Sequence, residues 1–279
     1  MTKTWFITGA NRGFGYEIAR AALAIGDTVV ATARDPQQAR EALALAGPAD
    51  RLLTVALDVT DRAQITAAVA AALDRFDGID VLVNNAGYGQ LGLFEQLTTE
   101  QIQQQFDTNV FGVFDVTRAL LPHMRVRRSG HIITISSIAG ITGIAGSTIY
   151  GATKFAITGW SEGLVGEVAQ FGIKVTVVHP GMFRTDFLDP SSVRHGDLAI
   201  EDYEQVSADR REWLNSMNHA QIGDPTKFGP AVVELANMPE PPARWGAGSD
   251  AVDAFRTRAE QLLSNVDEFE QFTRSTDVA

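Results

Sequence analysis

Over the first two-thirds of the chain, short apolar runs alternate with longer stretches in which apolar residues recur every three or four positions. The runs TWFIT (4–8), TVVAT (28–32), LLTVAL (52–57), VLVNN (81–85), HIITIS (131–136) and KVTVVH (174–179) are rich in consecutive β-branched and apolar residues. Strands covered on both faces have that composition. Six parallel strands are expected, with a seventh at ARWGAG (243–248). Helical spacing fills the gaps near 15–25, 61–76, 98–124 and 149–170, and Ile102, Phe106, Val110 and Val113 fall on one face of the third. Such alternation predicts an α/β fold, a doubly wound parallel sheet in three layers. From Met182 to Asp224 the rhythm loosens around a helix expected at 200–218, and the chain from Asp250 reads as a charged amphipathic helix that frays at RSTDVA.

No internal repeat, low-complexity tract or Pro/Gly-rich linker marks a boundary. The expectation is one domain over 1–279, with a substrate lid at about 182–224 and a helical tail at about 250–274. A chain of 279 residues with 45% hydrophobic content can build such a core. The formal net charge of −11 argues against a nucleic-acid binder, which needs clustered Lys and Arg. With no cysteine there is no disulfide framework, thiolate nucleophile or cysteine metal site. His123, His131, His179, His195 and His219 show no metal-ligand spacing, so no metal is expected. The apolar run after Lys3 is too short for a signal peptide or membrane span, which points to the cytosol.

The first chemical signal is TGANRGFG, between the first strand and the first helix. Gly9, Gly13 and Gly15 permit a sharp turn and close approach of backbone to a ligand, and the helix N-terminus beyond offers free N–H groups to a pyrophosphate. A P-loop needs Lys and then Ser or Thr after its last glycine, whereas Gly15 is followed by Tyr16 and Glu17. At the tip of the second strand an NAD site places an acid for the ribose 2′-hydroxyl, and a 2′-phosphate needs a cation. The tip reads Thr32-Ala33-Arg34, so Arg34, with Arg12 as a second cation, favours NADP(H) over NAD(H). Asp35 lies one residue beyond the ribose-acid position.

Taken in order, TGANRGFG, LDVT (57–60), NNAG (84–87), Asn109 in FDTNVFG, Ser137, YGATK (150–154) and PGMFRT (180–185) resemble the short-chain dehydrogenase/reductases. The resemblance covers about 1–190 and implies a Rossmann fold; NVFG, GDPTK (223–227) and the tail are similar to bacterial relatives of 17β-hydroxysteroid and retinol dehydrogenases. It implies a catalytic set of Asn109, Ser137, Tyr150 and Lys154. It places Asn11, Arg12, Phe14 and the three glycines of the turn on the cofactor. Asp58 and Val59 would lie beside the adenine, Asn85, Ala86 and Gly87 against the ribose, and Pro180, Gly181 and Thr185 at the carboxamide. A homo-oligomer built through helices 98–124 and 149–170 is likewise implied.

One helical turn separates Tyr150 from Lys154, so the two share a face. An ammonium beside a phenol favours the phenolate and lowers its pKa, as a general acid and base near neutrality requires. Ser137 would hydrogen-bond the substrate oxygen, and strand alternation sends Ser136 to the other side. By resemblance Asn109 holds a water that connects Lys154 to solvent. Phe183, Phe187, Leu188, Tyr203, Trp213 and Met217 could line an apolar lid, which suits a ketone, an aldehyde or the corresponding alcohol; Arg184 and Arg194 leave room for a charged group. A regulatory NADP(H) binder without turnover, and an epimerase or dehydratase of the longer branch, stand as alternatives.

Overall fold

The computed structural model describes residues 2–278. TWFIT forms β1 (Thr4–Thr8), and the glycine turn leads into α1 (Gly13–Ala24). β2 (Thr28–Ala33) is followed by α2 (Pro36–Leu43), β3 (Leu52–Ala56), α3 (Arg62–Arg75), β4 (Val81–Asn84) and the short β5 (Gly89–Leu91). α4 (Thr99–Phe106) and α5 (Gly112–Arg127) precede β6 (Gly130–Ile135), α6 (Thr148–Val168) and β7 (Ile173–Pro180). Then come β8 (Val193–His195), α7 (Glu204–Met217), α8 (Pro225–Asn237), β9 (Arg244–Ala247) and α9 (Ser249–Arg274).

Seven strands form one parallel sheet in the order β3-β2-β1-β4-β6-β7-β9. The seventh run thus joins the sheet at its edge. Alternation along β1 sends Trp5 and Ile7 into the layer packed by Ile18 of α1 and Phe228 and Val232 of α8, while Phe6 faces Ile65, Leu120, Met124 and Leu164 of α3, α5 and α6. Strand order reverses between β1 and β4, and ligands of open parallel sheets bind at that crevice, beyond the carboxyl ends of the strands.

Three departures from the sequence pattern have physical causes. The long helix expected over 98–124 is α4 and α5 joined by a π-helical turn, Asp107–Phe111, whose centre is Asn109. Its side chain is spent on Tyr88 instead of solvent: Oδ1 accepts from the Tyr88 N–H (3.2 Å) and Nδ2 donates to its carbonyl (3.0 Å). α2 and α8 lie outside the stretches expected to be helical, and each is started by Asp-Pro. Asp35 caps Gln37 N–H at 3.0 Å and Asp224 caps Thr226 N–H at 3.0 Å, with proline at the first helical position where no N–H is needed. Gly229 of α8 lies against the Glu17 carbonyl, so closely that a side chain there would overlap α1. β5 and β8 form a small separate parallel pair over the site. After Arg274 the described residues leave the helix; Ala279, the last residue of the expected fray, lies outside the described residues. Among the described residues no helix is long and apolar enough to cross a membrane.

Candidate active site

At the carboxyl ends of β1, β4, β6 and β7 a cavity of about 640 Å³ runs from the glycine turn to the 182–224 segment. Gly9 (φ +66°) and Gly13 (φ +54°) occupy the left-handed region. At Gly15 a Cβ would overlap the Gly9 carbonyl and come within 2.6 Å of Asn85 Nδ2. Arg12 precedes α1 without capping it through its side chain, which leaves the first N–H groups of α1 without a side-chain cap. An anion would be stabilised there by those groups and by the helix dipole. Thr8, which the sequence pattern did not single out, pins the next loop: its Oγ1 accepts from Asn85 N–H (2.9 Å) and Ala86 N–H (3.0 Å). Asn85 Nδ2 donates back to the carbonyls of Thr8 (2.9 Å) and Gly9 (3.0 Å).

Asn11, Phe14, Asp58, Val59 and Gly87 border this half of the cavity, as do Pro180, Gly181 and Thr185 opposite. The Phe14 ring turns away and stacks on Phe228 at 3.9 Å, so only the rest of the residue faces the ligand side. Asp58 accepts from Thr60 N–H (2.9 Å) and hydroxyl (2.7 Å). Arg34 lies on the wall at the tip of β2, and among the described residues it has no ion-pair partner, since Asp35 is occupied in capping α2. Arg12 also borders the cavity but reaches across to Ser191, donating to its Oγ (2.5 Å) and carbonyl (3.0 Å). In this structure it bridges the glycine turn to the 182–224 segment.

Ser137, Tyr150 and Lys154 meet on the other half of the wall. Tyr150 is fully packed, 5.5 Å from the Phe187 ring. Burial pushes its phenol up to about 12, and the Ser137 hydroxyl opposes that shift. Lys154 Nζ is 5.6 Å from the centre of that ring and donates to the Ile135 carbonyl at 2.9 Å. Burial brings the ammonium down to about 8, so it stays mainly protonated at neutral pH. The downward pull expected of Lys154 on the phenol does not prevail: desolvation of the phenol itself is the larger effect. Ser136 is turned away: its hydroxyl bonds the Lys154 carbonyl (3.1 Å) and Thr158 Oγ1 (3.0 Å). Asn109 does not reach the cavity. Beyond its grip on Tyr88 it contacts Thr153 Oγ1 at 3.3 Å, next to Lys154, so it sets the wall behind the pair.

Other residues of the site carried no sequence signal. His179 is buried on β7; one ring nitrogen lies 2.9 Å from the Ser137 carbonyl, and burial lowers its pKa to about 4, so it is neutral and holds Ser137 by an Nδ1–H donor. Met182 N–H donates to Asp250 Oδ2 (2.6 Å), which ties the loop after β7 to α9. On the 182–224 side, Phe187, Leu188, Trp213 and Leu214 line the cavity. Tyr203 and Met217 do not, contrary to expectation: Tyr203 donates its hydroxyl to Glu95 on the exposed surface (2.6 Å). Phe183 reaches the wall while its ring packs edge-on against Phe14. Arg184 is spent on the Gln221 carbonyl (2.6 Å), and Arg194 lies over the Tyr88 ring at 4.9 Å.

The pattern of the short chain dehydrogenase family matches residues 3–194. The oxidoreductase BOA17 of Botryotinia fuckeliana is 40% identical over 268 residues, covering 96% of each chain. A crystal structure of a short-chain dehydrogenase from Streptomyces avermitilis superposes with a TM-score of 0.90 at 39% identity and covers 100% of both chains. ElxO with NADP bound gives 0.73 at 27% identity over 88% of this chain and 97% of its own. A Burkholderia phymatum short chain dehydrogenase/reductase in complex with NAD gives 0.82 at 23% identity over 95% of each, a likeness of fold.

Proposed function

The chain belongs to the short-chain dehydrogenase family, and from that premise we propose that it is an NADP(H)-dependent oxidoreductase. Its substrate is a ketone or aldehyde of largely apolar body, or the corresponding alcohol. The observation that carries this is the meeting of Ser137, Tyr150 and Lys154 on the wall of the same cavity that the glycine turn opens into. The residues present fit a dinucleotide: left-handed glycines at 9 and 13, a position 15 where only hydrogen fits, and an α1 N-terminus without a side-chain cap. When bound, the nicotinamide supplies the hydride donor or acceptor. Gly9, Gly13 and the first N–H groups of α1 would hold the pyrophosphate, Asp58 and Val59 the adenine, and Lys154 a ribose hydroxyl. Arg34, a cation without a carboxylate at the tip of β2, supports a 2′-phosphate and hence NADP(H).

In reduction Tyr150 gives its proton to the substrate oxygen, and in oxidation it takes one back. Ser137 donates a hydrogen bond to the same oxygen and stabilises charge developing there. His179 acts through Ser137 by fixing its carbonyl, and Asn109 acts through the Tyr88 loop; both are positioning residues. The ligand-free phenol, near 12, is a proton donor only. A unit positive charge about 5 to 6 Å from the phenol oxygen, at an effective dielectric of about 20, would favour the phenolate by roughly 3 kcal/mol, or about 2 pKa units. With Lys154 in place the phenol still lies well above neutrality, and a further positive charge in the cavity would pull it toward the range where it works as a base.

A panel of apolar ketones offered with NADPH and with NADH, followed at the nicotinamide absorbance, tests the proposal. Turnover is expected with NADPH preferred, and Arg34→Ala should erase the preference. An unchanged preference in Arg34→Ala would refute the cofactor assignment. No turnover on any ketone, with nucleotide binding intact in Tyr150→Phe, would leave a binder without turnover.

A further inference from the structure

Arg210, on α7, lines the substrate half of the cavity. Its Nη2 donates to Ser147 Oγ at 3.0 Å, and its guanidinium lies flat against Gly146, whose φ of +67° and missing side chain make room for it. Ser147 immediately precedes α6, so the guanidinium is fixed about one helical turn before Tyr150. The Nε–H of Arg210 is buried and has no acceptor. Among the described residues Arg210 has no carboxylate partner, in a chain with 34 acidic side chains against 23 Lys and Arg. Acids do border the cavity, but Asp58 is held by Thr60, Asp107 accepts from Gln103 Nε2 (2.7 Å), and Asp186 makes no ion pair with it. A second cation, Arg194, faces the same space, stacked on Tyr88 and donating to Gln104 Oε1 at 3.3 Å, again without a carboxylate.

A partly buried cation without a carboxylate partner is costly unless an anion arrives. Around it the wall is apolar, formed by Ile144, Phe187, Leu188 and Leu214. Pockets of this kind fix orientation through a few polar groups in an apolar lining. Resting on the oxidoreductase reading above, we propose that Arg210 anchors an anionic end group of the substrate. The substrate class is then an oxo acid or hydroxy acid: a carbonyl or carbinol at Tyr150, an apolar middle along Phe187 and Leu214, and a carboxylate at Arg210, with Arg194 on the wall of the same cavity. A guanidinium whose Nη2 is engaged by Ser147 and whose Nε is packed against Gly146 still has its Nη1 N–H groups to offer a carboxylate.

The test uses a ladder of methyl-ketone carboxylic acids of increasing chain length, each paired with its neutral primary amide, with NADPH. At the best length the acid should have a kcat/KM about tenfold or more above the amide, the scale of a hydrogen bond to a charged group. Arg210→Gln, unlike Arg210→Lys, removes the charge, and it is too short to hold Ser147. It should bring acid and amide level and leave the amide's kcat/KM within about twofold, and Arg210→Lys should recover part of the preference. Equal turnover of acid and amide at every length would overturn the proposal, as would a preference that survives in Arg210→Gln. So would an equal loss on both substrates in Arg210→Gln, which would make Arg210 a structural clasp between α7 and α6. Trp213 lines the cavity, so its fluorescence reports acid and amide binding without turnover. Preferential acid binding with no turnover sinks the oxidoreductase reading and keeps the anchor; turnover without preference does the reverse.

Discussion

Lys154→Met should make the ligand-free protein more stable at pH 7 while abolishing its turnover. Burial lowers the Lys154 pKa from 10.5 in an exposed chain to about 8 in the fold. At about 1.4 kcal/mol per unit, holding the protonated form in the folded chain costs about 3 kcal/mol. The hydrogen bond to the Ile135 carbonyl offsets about 1 to 2 kcal/mol of that. Methionine matches the length of the aliphatic stem without the charge, so the variant should gain about 1 to 2 kcal/mol at pH 7. The sign depends on pH. Between about 8 and 10.5 the unfolded chain binds the proton that the folded chain has released, so wild-type stability rises with pH relative to the variant. Above 10.5 the amine is neutral in both states and only the lost hydrogen bond remains, which makes the variant the less stable protein. Urea unfolding of both proteins at pH 7, 9 and about 10.5 reads this directly. A variant less stable at pH 7 by as much as at pH 10.5 would refute the account of a buried, uncompensated ammonium. A functional lysine kept at a stability cost is the expected trade-off of an active site.

Gly15→Ala should abolish nucleotide binding and destabilise the fold by about 1 to 3 kcal/mol, because its methyl would overlap the Gly9 carbonyl; near-normal NADPH affinity by fluorescence titration would contradict that geometry. The neighbouring serines should separate cleanly. On turnover, Ser137→Ala should lower kcat about a hundredfold or more, with about 1 kcal/mol of stability lost along with its cap on Ala139 N–H, whereas Ser136→Ala should lose about 1 kcal/mol of stability with turnover nearly intact. Steady-state kinetics and urea unfolding of the two variants check both halves. His131 and His179 are buried neutral, lowered to about 3 and about 4. Below pH 6.5 the unfolded chain binds protons that these rings refuse, so stability should fall with pH by about 1.4 kcal/mol per unit for each, levelling below about 4 for His179. Urea midpoints that stay flat from pH 7 to 5 would contradict their burial.

Strand positions and the glycine turn were legible because both follow local rules: β-branched runs for strands buried on two faces, and glycine where the backbone must turn or leave room. That the neighbouring serines part company is legible too, since alternation sends Ser136 and Ser137 to opposite sides; which of them faces the substrate rests on the resemblance, through the thirteen-residue offset from Ser137 to Tyr150. What escaped the sequence depends on partners distant along the chain. Thr8, His179 and Arg210 are ordinary residues until the fold sets them against Asn85, Ser137 and Ser147. The π turn at Asn109 is invisible to a 3.6-residue period, and α8 hides behind Pro225, Gly229 and Pro230, because its burial against α1 outweighs poor propensity. Its place in the turn marks Arg12 as a phosphate ligand, yet its reach to Ser191 depends on the 182–224 segment, which is distant along the chain.

The central claim is that Tyr150 exchanges a proton with the substrate oxygen. Its most direct measurement is ketone reduction by Tyr150→Phe, alongside NADPH affinity by fluorescence titration. Removing one hydroxyl from a packed ring should cost about a hundred- to ten-thousandfold in kcat, with NADPH affinity changed by no more than about threefold. Turnover by Tyr150→Phe within a few-fold of wild type, at the same cofactor affinity, would contradict it.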